Sequence, residues 1–243
     1  MRNVRKRRAL LLIAAAVAVL AVAALLLVRA IFVTRNVVIE GTVSASDEEI
    51  IRAANLNLGG PIGDVREEDV RKNLEKTGKY ALDGLEIRRP STVVLHVRQR
   101  TRDAMVPLGG RILVADSDGY VIEICNTLPE NSGLYVRGLT CTDYSVGKRL
   151  NAPEKQLEAM RAVLEAVRSQ NAGKYLSELN VSDANRLWMV SRTGIRVELG
   201  DSAQMEDKLR WACSAIADLE NRGETLGTLD VSSAMRADFK PQS

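Results

Sequence analysis

From Ala9 to Val28, twenty consecutive residues carry neither a charge nor a polar side chain. At about 1.5 Å of rise per residue, such a run spans about the 30 Å hydrocarbon core of a bilayer. In lipid, a helix is the one single-segment structure that satisfies all of its own backbone hydrogen bonds. Arg5-Lys6-Arg7-Arg8 stands on the N-terminal flank, and flanking positive charge keeps that end in the cytoplasm. The run therefore predicts a basic cytoplasmic tail over 1–8, a transmembrane helix over 9–30 and everything later on the outer side. The competing reading is a cleaved signal peptide, with Ala21-Val22-Ala23 as small-residue context. The apolar run is longer than a usual 7–15-residue signal core, which favours the anchor.

Charge narrows the partners. Residues 1–29 hold six basic groups and no acid, leaving 28 basic against 31 acidic groups in the rest, a net charge of −3. A mildly acidic body is a poor match for phosphate backbones, so nucleic-acid binding is not expected. Nine aromatic residues supply neither stacking platforms nor the girdles of an outer-membrane barrel. The single histidine, His96, leaves no room for histidine-rich metal sites. No cofactor is expected.

The exported part predicts two domains, 33–101 and 104–243, of α+β class. In the first, Asn36 to Glu40 reads as a strand stopped by Gly41. Ser46 followed by Asp47-Glu48-Glu49 reads as a capping box opening a short helix. Gly59-Gly60-Pro61 breaks the chain, and Val65, Asp69, Val70 and Leu74 mark a second helix. Leu82 to Arg88 and the alternating Val93, Leu95 and Val97 give two strands, so the order is β-α-α-β-β. In the second domain, Ile112 to Ala115 and Tyr120 to Ile124 flank Asp118-Gly119, a hairpin signal. A strand over Leu134 to Arg137 precedes a helix over Pro153 to Arg168, with Leu157, Met160, Leu164 and Val167 on one stripe. Strands at 179–181, 187–191 and 195–199 follow. A helix then carries Met205, Leu209, Ala212, Ile216 and Leu219, and closing strands fall at 226–231 and 233–239.

This layout resembles the FtsQ/DivIB family of bacterial cell-division proteins, and its β-α-α-β-β part resembles a POTRA domain. The motifs are Val37 to Gly41 with Ser46 and Glu48-Glu49-Ile50, then Arg89-Pro90 with Val93 to Val97, Gln99-Arg100 and Ala104. Leu113 to Asp116 with Asp118-Gly119, Leu128-Pro129 with Gly133, and Gly194, Gly200, Lys208-Leu209 and Leu229-Asp230-Val231 continue the likeness. Gln99 stands where the family has an acid, and Arg102 where it has a proline. The resemblance implies a transmembrane helix, a POTRA domain and a mixed α/β "β domain" with an exposed C-terminal edge strand. It implies a non-enzymatic, single-pass scaffold of the divisome at the septum. Such a scaffold binds small bitopic coiled-coil proteins of the FtsB/DivIC and FtsL types and helps regulate septal peptidoglycan synthesis, with other divisome components at the POTRA domain. In the family the FtsB-type partner adds its own strand to that last edge. The positions on it here are Ser232, Ser233, Met235, Arg236, Ala237 and Phe239, together with Ala234 and Asp238. An unpaired edge offers a ladder of N–H and C=O groups, and alternate side chains choose the partner. Ser233, Met235, Ala237 and Phe239 would share one face, although Ala234 to Ala237 is weakly β-prone.

Rival classes are a membrane-anchored cell-wall enzyme and a POTRA-bearing transport or chaperone factor. Ser145-Val146-Gly147-Lys148 fits the S-x-x-K of penicillin-binding enzymes, but no S-D-N or K-T-G accompanies it. Asp116-Ser117-Asp118-Gly119 opens like a calcium loop without its later ligands, so a plain turn is favoured. Cys125, Cys141 and Cys213 make an odd set. Cys213 reads as a buried thiol, and a 125–141 bridge is left open. His96, on the alternate face of its strand, reads as a surface imidazole rather than a pH switch.

Overall fold

The computed structural model describes residues 16–24, 26–27, 31–130 and 133–242. The predicted tail, 1–8, lies outside them, as does much of the predicted anchor. Residues 16–24 and 26–27 are helical, with Val17, Leu20 and Leu27 exposed. Among the described residues no helix is long and apolar enough to cross a membrane. The chain forms two compact units, one running to Leu74 and then over Tyr80–Gln99, the other made of Glu75–Lys79 and the chain from Arg100.

The first unit follows the expected order: β1 (Asn36–Glu40), α1 (Asp47–Ala53), α2 (Glu67–Lys76), β2 (Tyr80–Arg88) and β3 (Thr92–Gln99). β3 is central, parallel to β1 and antiparallel to β2. The Ser46 hydroxyl accepts from the Glu49 N–H at 3.3 Å, and three acids occupy the first turn, where the helix end is positive. The reciprocal half of the expected capping box is replaced, because the Glu49 carboxylate accepts from the Tyr80 hydroxyl at 2.8 Å. Burial and that carboxylate push the Tyr80 phenol up to about 12. Ile50 of α1 with Ala54 just past its end, and Val70 and Leu74 of α2, pack on Leu82, Val93, Leu95 and Val97. Each fully buried Leu, Ile or Val there contributes about 1.5–3 kcal/mol. On the other face His96 lies between Glu40 (Nδ1 to Oε2, 3.4 Å) and Glu86 (Nε2 to Oε1, 3.7 Å).

The second unit is built on a nine-stranded sheet. Its strands are β4 (Ala104–Leu108), β5 (Arg111–Ala115), β6 (Val121–Cys125), β7 (Leu134–Arg137), β8 (Leu176–Asn180), β9 (Leu187–Ser191), β10 (Arg196–Gly200), β11 (Gly227–Asp230) and β12 (Asp238–Pro241). Their spatial order is β12-β11-β10-β9-β8-β7-β4-β5-β6. Parallel neighbours need a long crossover. Helix α3 (Glu154–Ser169) makes the one between β7 and β8, and α4 (Met205–Asn221) the one between β10 and β11. Leu157, Met160, Val163 and Leu164 of α3, with Leu209, Ala212, Ile216 and Leu219 of α4, pack into one core with the sheet. The periodicity that predicts both helices is the face they bury.

β4 has no counterpart in the sequence reading, and it carries Pro107, a residue that cannot donate to a ladder. The structure resolves the conflict: β7 pairs only with Ala104 and Met105, so at Pro107 that side of the ladder has ended. Asp116 to Gly119 forms the expected β5–β6 turn, the Gly119 N–H donating to the Asp116 carbonyl at 3.0 Å. The Asp116 carboxylate points inward, accepting from Arg100 and from the Tyr120 N–H (2.8 Å), while Arg100 stacks on the Tyr120 ring at 3.9 Å. Burial pushes this carboxyl up against the opposing pull of Arg100. Ser145 and Lys148 sit in a turn closed by the Lys148 N–H on the Ser145 carbonyl. All three cysteines are free thiols, so the 125–141 bridge is not formed, and burial raises the thiols of Cys125 and Cys213. Cys213 is half-buried rather than enclosed.

Candidate partner-binding edge

The chain's last strand lies at one margin of the nine-stranded sheet, as expected, but its limits differ. The predicted strand, 233–239, is for the most part a turn, and the ladder runs over Asp238–Pro241. The physical reason lies in residues 230–234. The Asp230 carboxylate accepts from the Ser232 N–H (3.0 Å) and hydroxyl (2.7 Å), a side-chain-closed turn. The Ala234 N–H donates to the Val231 carbonyl at 3.1 Å, and Ala234 has φ of 56°, in the left-handed region. Ser232, Ser233 and Met235 are consequently exposed residues of the turn and the bend that follows it, none of them in the ladder, and the exposed Arg236 and then Ala237 lead into the strand. Arg236 pairs with Asp238 at 2.8 Å, both well exposed. Met235 is 80% exposed. Of the six positions named from sequence, only Phe239 belongs to β12.

The paired register is Asp230↔Asp238, Leu229↔Phe239, Thr228↔Lys240 and Gly227↔Pro241. The Gln242 N–H donates to the Leu226 carbonyl at 3.3 Å. Antiparallel strands alternate their backbone bonds, so Lys240 and Asp238 turn theirs toward β11 and Phe239 turns its N–H and C=O outward. Pro241 shares that outward phase, where its missing donor costs the sheet nothing. Lys240, Pro241 and Gly227 thus belong to the site although sequence reasoning passed over them. The proline was the available signal, since prolines within sheets mark edges.

One row of side chains gives the edge its character. Leu179, Met189, Val197 and Leu229 face one another across β8, β9, β10 and β11, all fully buried on the helix-covered side. Phe239 is the next member and is only half-buried. Its ring lies over Gly227, where an added Cβ would stand 2.6 Å from two ring carbons. An aromatic covering a diagonally placed glycine fills the gap left by the missing side chain. The hydrogen bonds from Ser232 hold the Asp230 carboxyl below the usual carboxylate range, with Lys240 and Arg236 adding to the effect.

Residues 32–100 match the family description "POTRA domain, FtsQ-type", and residues 104–232 match "Cell division protein FtsQ/DivIB, C-terminal". The chain is 22% identical over 205 residues to the cell division protein DivIB of Clostridium tetani, covering 83% of this chain and 76% of that protein. It is 28% identical over 137 residues to the cell division protein FtsQ of Rickettsia felis, covering 56% of this chain and 51% of the relative. The solved extracytoplasmic domain of DivIB from Geobacillus stearothermophilus aligns with 50% of this chain and 96% of its own length, at 16% identity and a TM-score of 0.33. With both family descriptions matched in order along one chain, the protein belongs to the FtsQ/DivIB family of cell-division proteins.

Proposed function

We propose that this protein is a non-enzymatic, membrane-anchored scaffold of the division septum whose β12 margin is completed by a strand from a small bitopic coiled-coil protein of the FtsB/DivIC type. An FtsL-type protein joins the same assembly, which helps regulate septal peptidoglycan synthesis. The anchor is the segment 9–30 with its apolar run from Ala9 to Val28, the N-terminus being cytoplasmic and the chain after about residue 30 outside. The observation that carries the strand-capture reading is the unfinished row from Leu179 to Phe239. An incoming strand would take the outward N–H and C=O of Phe239 and set an apolar side chain beside its ring, extending both ladder and core. The exposed Asp238 and Lys240 select charge on the opposite face.

Co-purification of the full chain with such a partner tests this. Phe239→Ala removes the ring but keeps the outward donor, whereas Phe239→Pro removes both. Strand addition predicts weakened capture in the first and its loss in the second, with the midcell band of a fluorescent fusion failing in parallel. Equal capture by the proline variant and the unaltered chain refutes the proposal.

A further inference from the structure

A cavity of about 550 Å³ opens in the second unit, and neither β11 nor β12 contributes to its wall. Three arginines reach it: Arg102 just before β4, Arg168 in the last turn of α3, and Arg192 in the turn between β9 and β10. Leu164 and Val167 of α3 supply an apolar floor, and Asp103 is the one acid in the wall among the described residues.

The arginines are unequally satisfied. Arg102 is paired with Glu123 at 2.8 Å. Arg192 spends Nε and Nη2 on the Gly173 carbonyl, at 3.0 and 2.8 Å, which fixes its plane without neutralising its charge. Arg168 makes only long bonds to the hydroxyls of Thr101 (3.3 Å) and Ser117 (3.4 Å), and its nearest carboxylate oxygen, on Asp103, is 3.9 Å away. The Asp103 carboxylate is itself committed to the Thr101 hydroxyl (2.7 Å) and the Ser117 N–H (2.9 Å). The wall therefore carries an excess of positive charge in planar, fork-shaped donors, the geometry that receives carboxylate or phosphate in two parallel bonds. The volume falls within the range of small-ligand pockets. A bare phosphate would leave most of it, and all of the apolar floor, unused.

We propose that this cavity binds a short acidic peptide, its carboxylates on the Arg168 and Arg192 guanidinium groups and an aliphatic side chain on Leu164 and Val167. The site is independent of strand capture at β12, so either stands if the other fails. Titration calorimetry on the full chain with N-acetyl-Val-Glu tests it, with N-acetyl-Val-Gln-amide and inorganic phosphate as comparison probes. The diacid is expected to bind, Arg168→Gln to weaken it about tenfold, Arg168→Lys to weaken it less, and thermal unfolding of both variants to match the parent. Arg192→Gln should weaken binding similarly. Any of four results overturns the assignment: no heat with the diacid at millimolar concentration, equal binding of the neutral peptide, equal binding of phosphate, or unchanged affinity in the arginine variants.

Discussion

Leu229 and Phe239 face each other across the last antiparallel pair of the sheet, the first fully buried and the second half-exposed. The difference is not chemical, since both side chains are apolar and both point to the helix-covered side. It is positional: Leu229 has a strand on each flank and Phe239 on one only.

The seat of that ring is Gly227. A Cβ there would stand 2.6 Å from the ring and 2.5 Å from the Lys240 carbonyl oxygen, at a φ of 154°. Gly227→Ala is expected to push β12 off β11 and abolish partner capture, while the distant core holds. Amide exchange at Lys240 should accelerate at least tenfold, while amides of β8 and β9 keep their protection.

Met235 tests whether the turn itself meets a partner. With 80% of its surface exposed, Met235→Lys should shift folding stability by no more than about 0.5 kcal/mol. Partner affinity, measured by titration, should fall if the turn is part of the contact surface.

Acid should loosen the edge through Asp230. Its folded-state value is depressed by the bonds from Ser232, so its contribution is present above the unfolded value, about 3.9, and lost as pH falls through the folded value. Asp230→Asn keeps an acceptor for Ser232 without the titration. The stability advantage of the native chain over this variant, read from urea unfolding, should be constant at neutral pH and shrink below pH 4.

The buried pair of Arg100 and Asp116 predicts a non-additive result. Asp116→Asn leaves the guanidinium enclosed without a counter-charge and should cost about 3–5 kcal/mol. Arg100→Met with Asp116→Leu should recover much of that loss. A double variant less stable than the single one would mean that the pair acts through something other than charge compensation.

What could be read from the sequence follows from how local each signal is. The stripe Leu157, Met160, Leu164 is visible along the chain, because a helix buries residues a few positions apart. The Asp118-Gly119 turn is legible for the same reason. β4 was not, since Pro107 is tolerated only because β7 stops at Met105, a fact of three dimensions. The edge was legible in place but not in extent. The resemblance implies a strand through 233–239, whereas the Asp230–Ser232 bonds and the left-handed Ala234 spend the residues before Asp238 on a reversal. The arginine-lined cavity left no linear trace, as its three cations lie far apart in sequence.

The opposite border of the sheet behaves differently. Along β6, the Val121 N–H donates to the Lys148 carbonyl and its C=O accepts from the Gly147 N–H, so the first residue of that rim is already occupied by the molecule's own loop. Strand pairing along a sheet border needs consecutive vacant backbone groups, and at the Val121 end of β6 those groups are taken. A strand approaching β6 would meet that loop at Val121 before it met the ladder, so the two borders of the nine-stranded sheet are not equivalent docking sites.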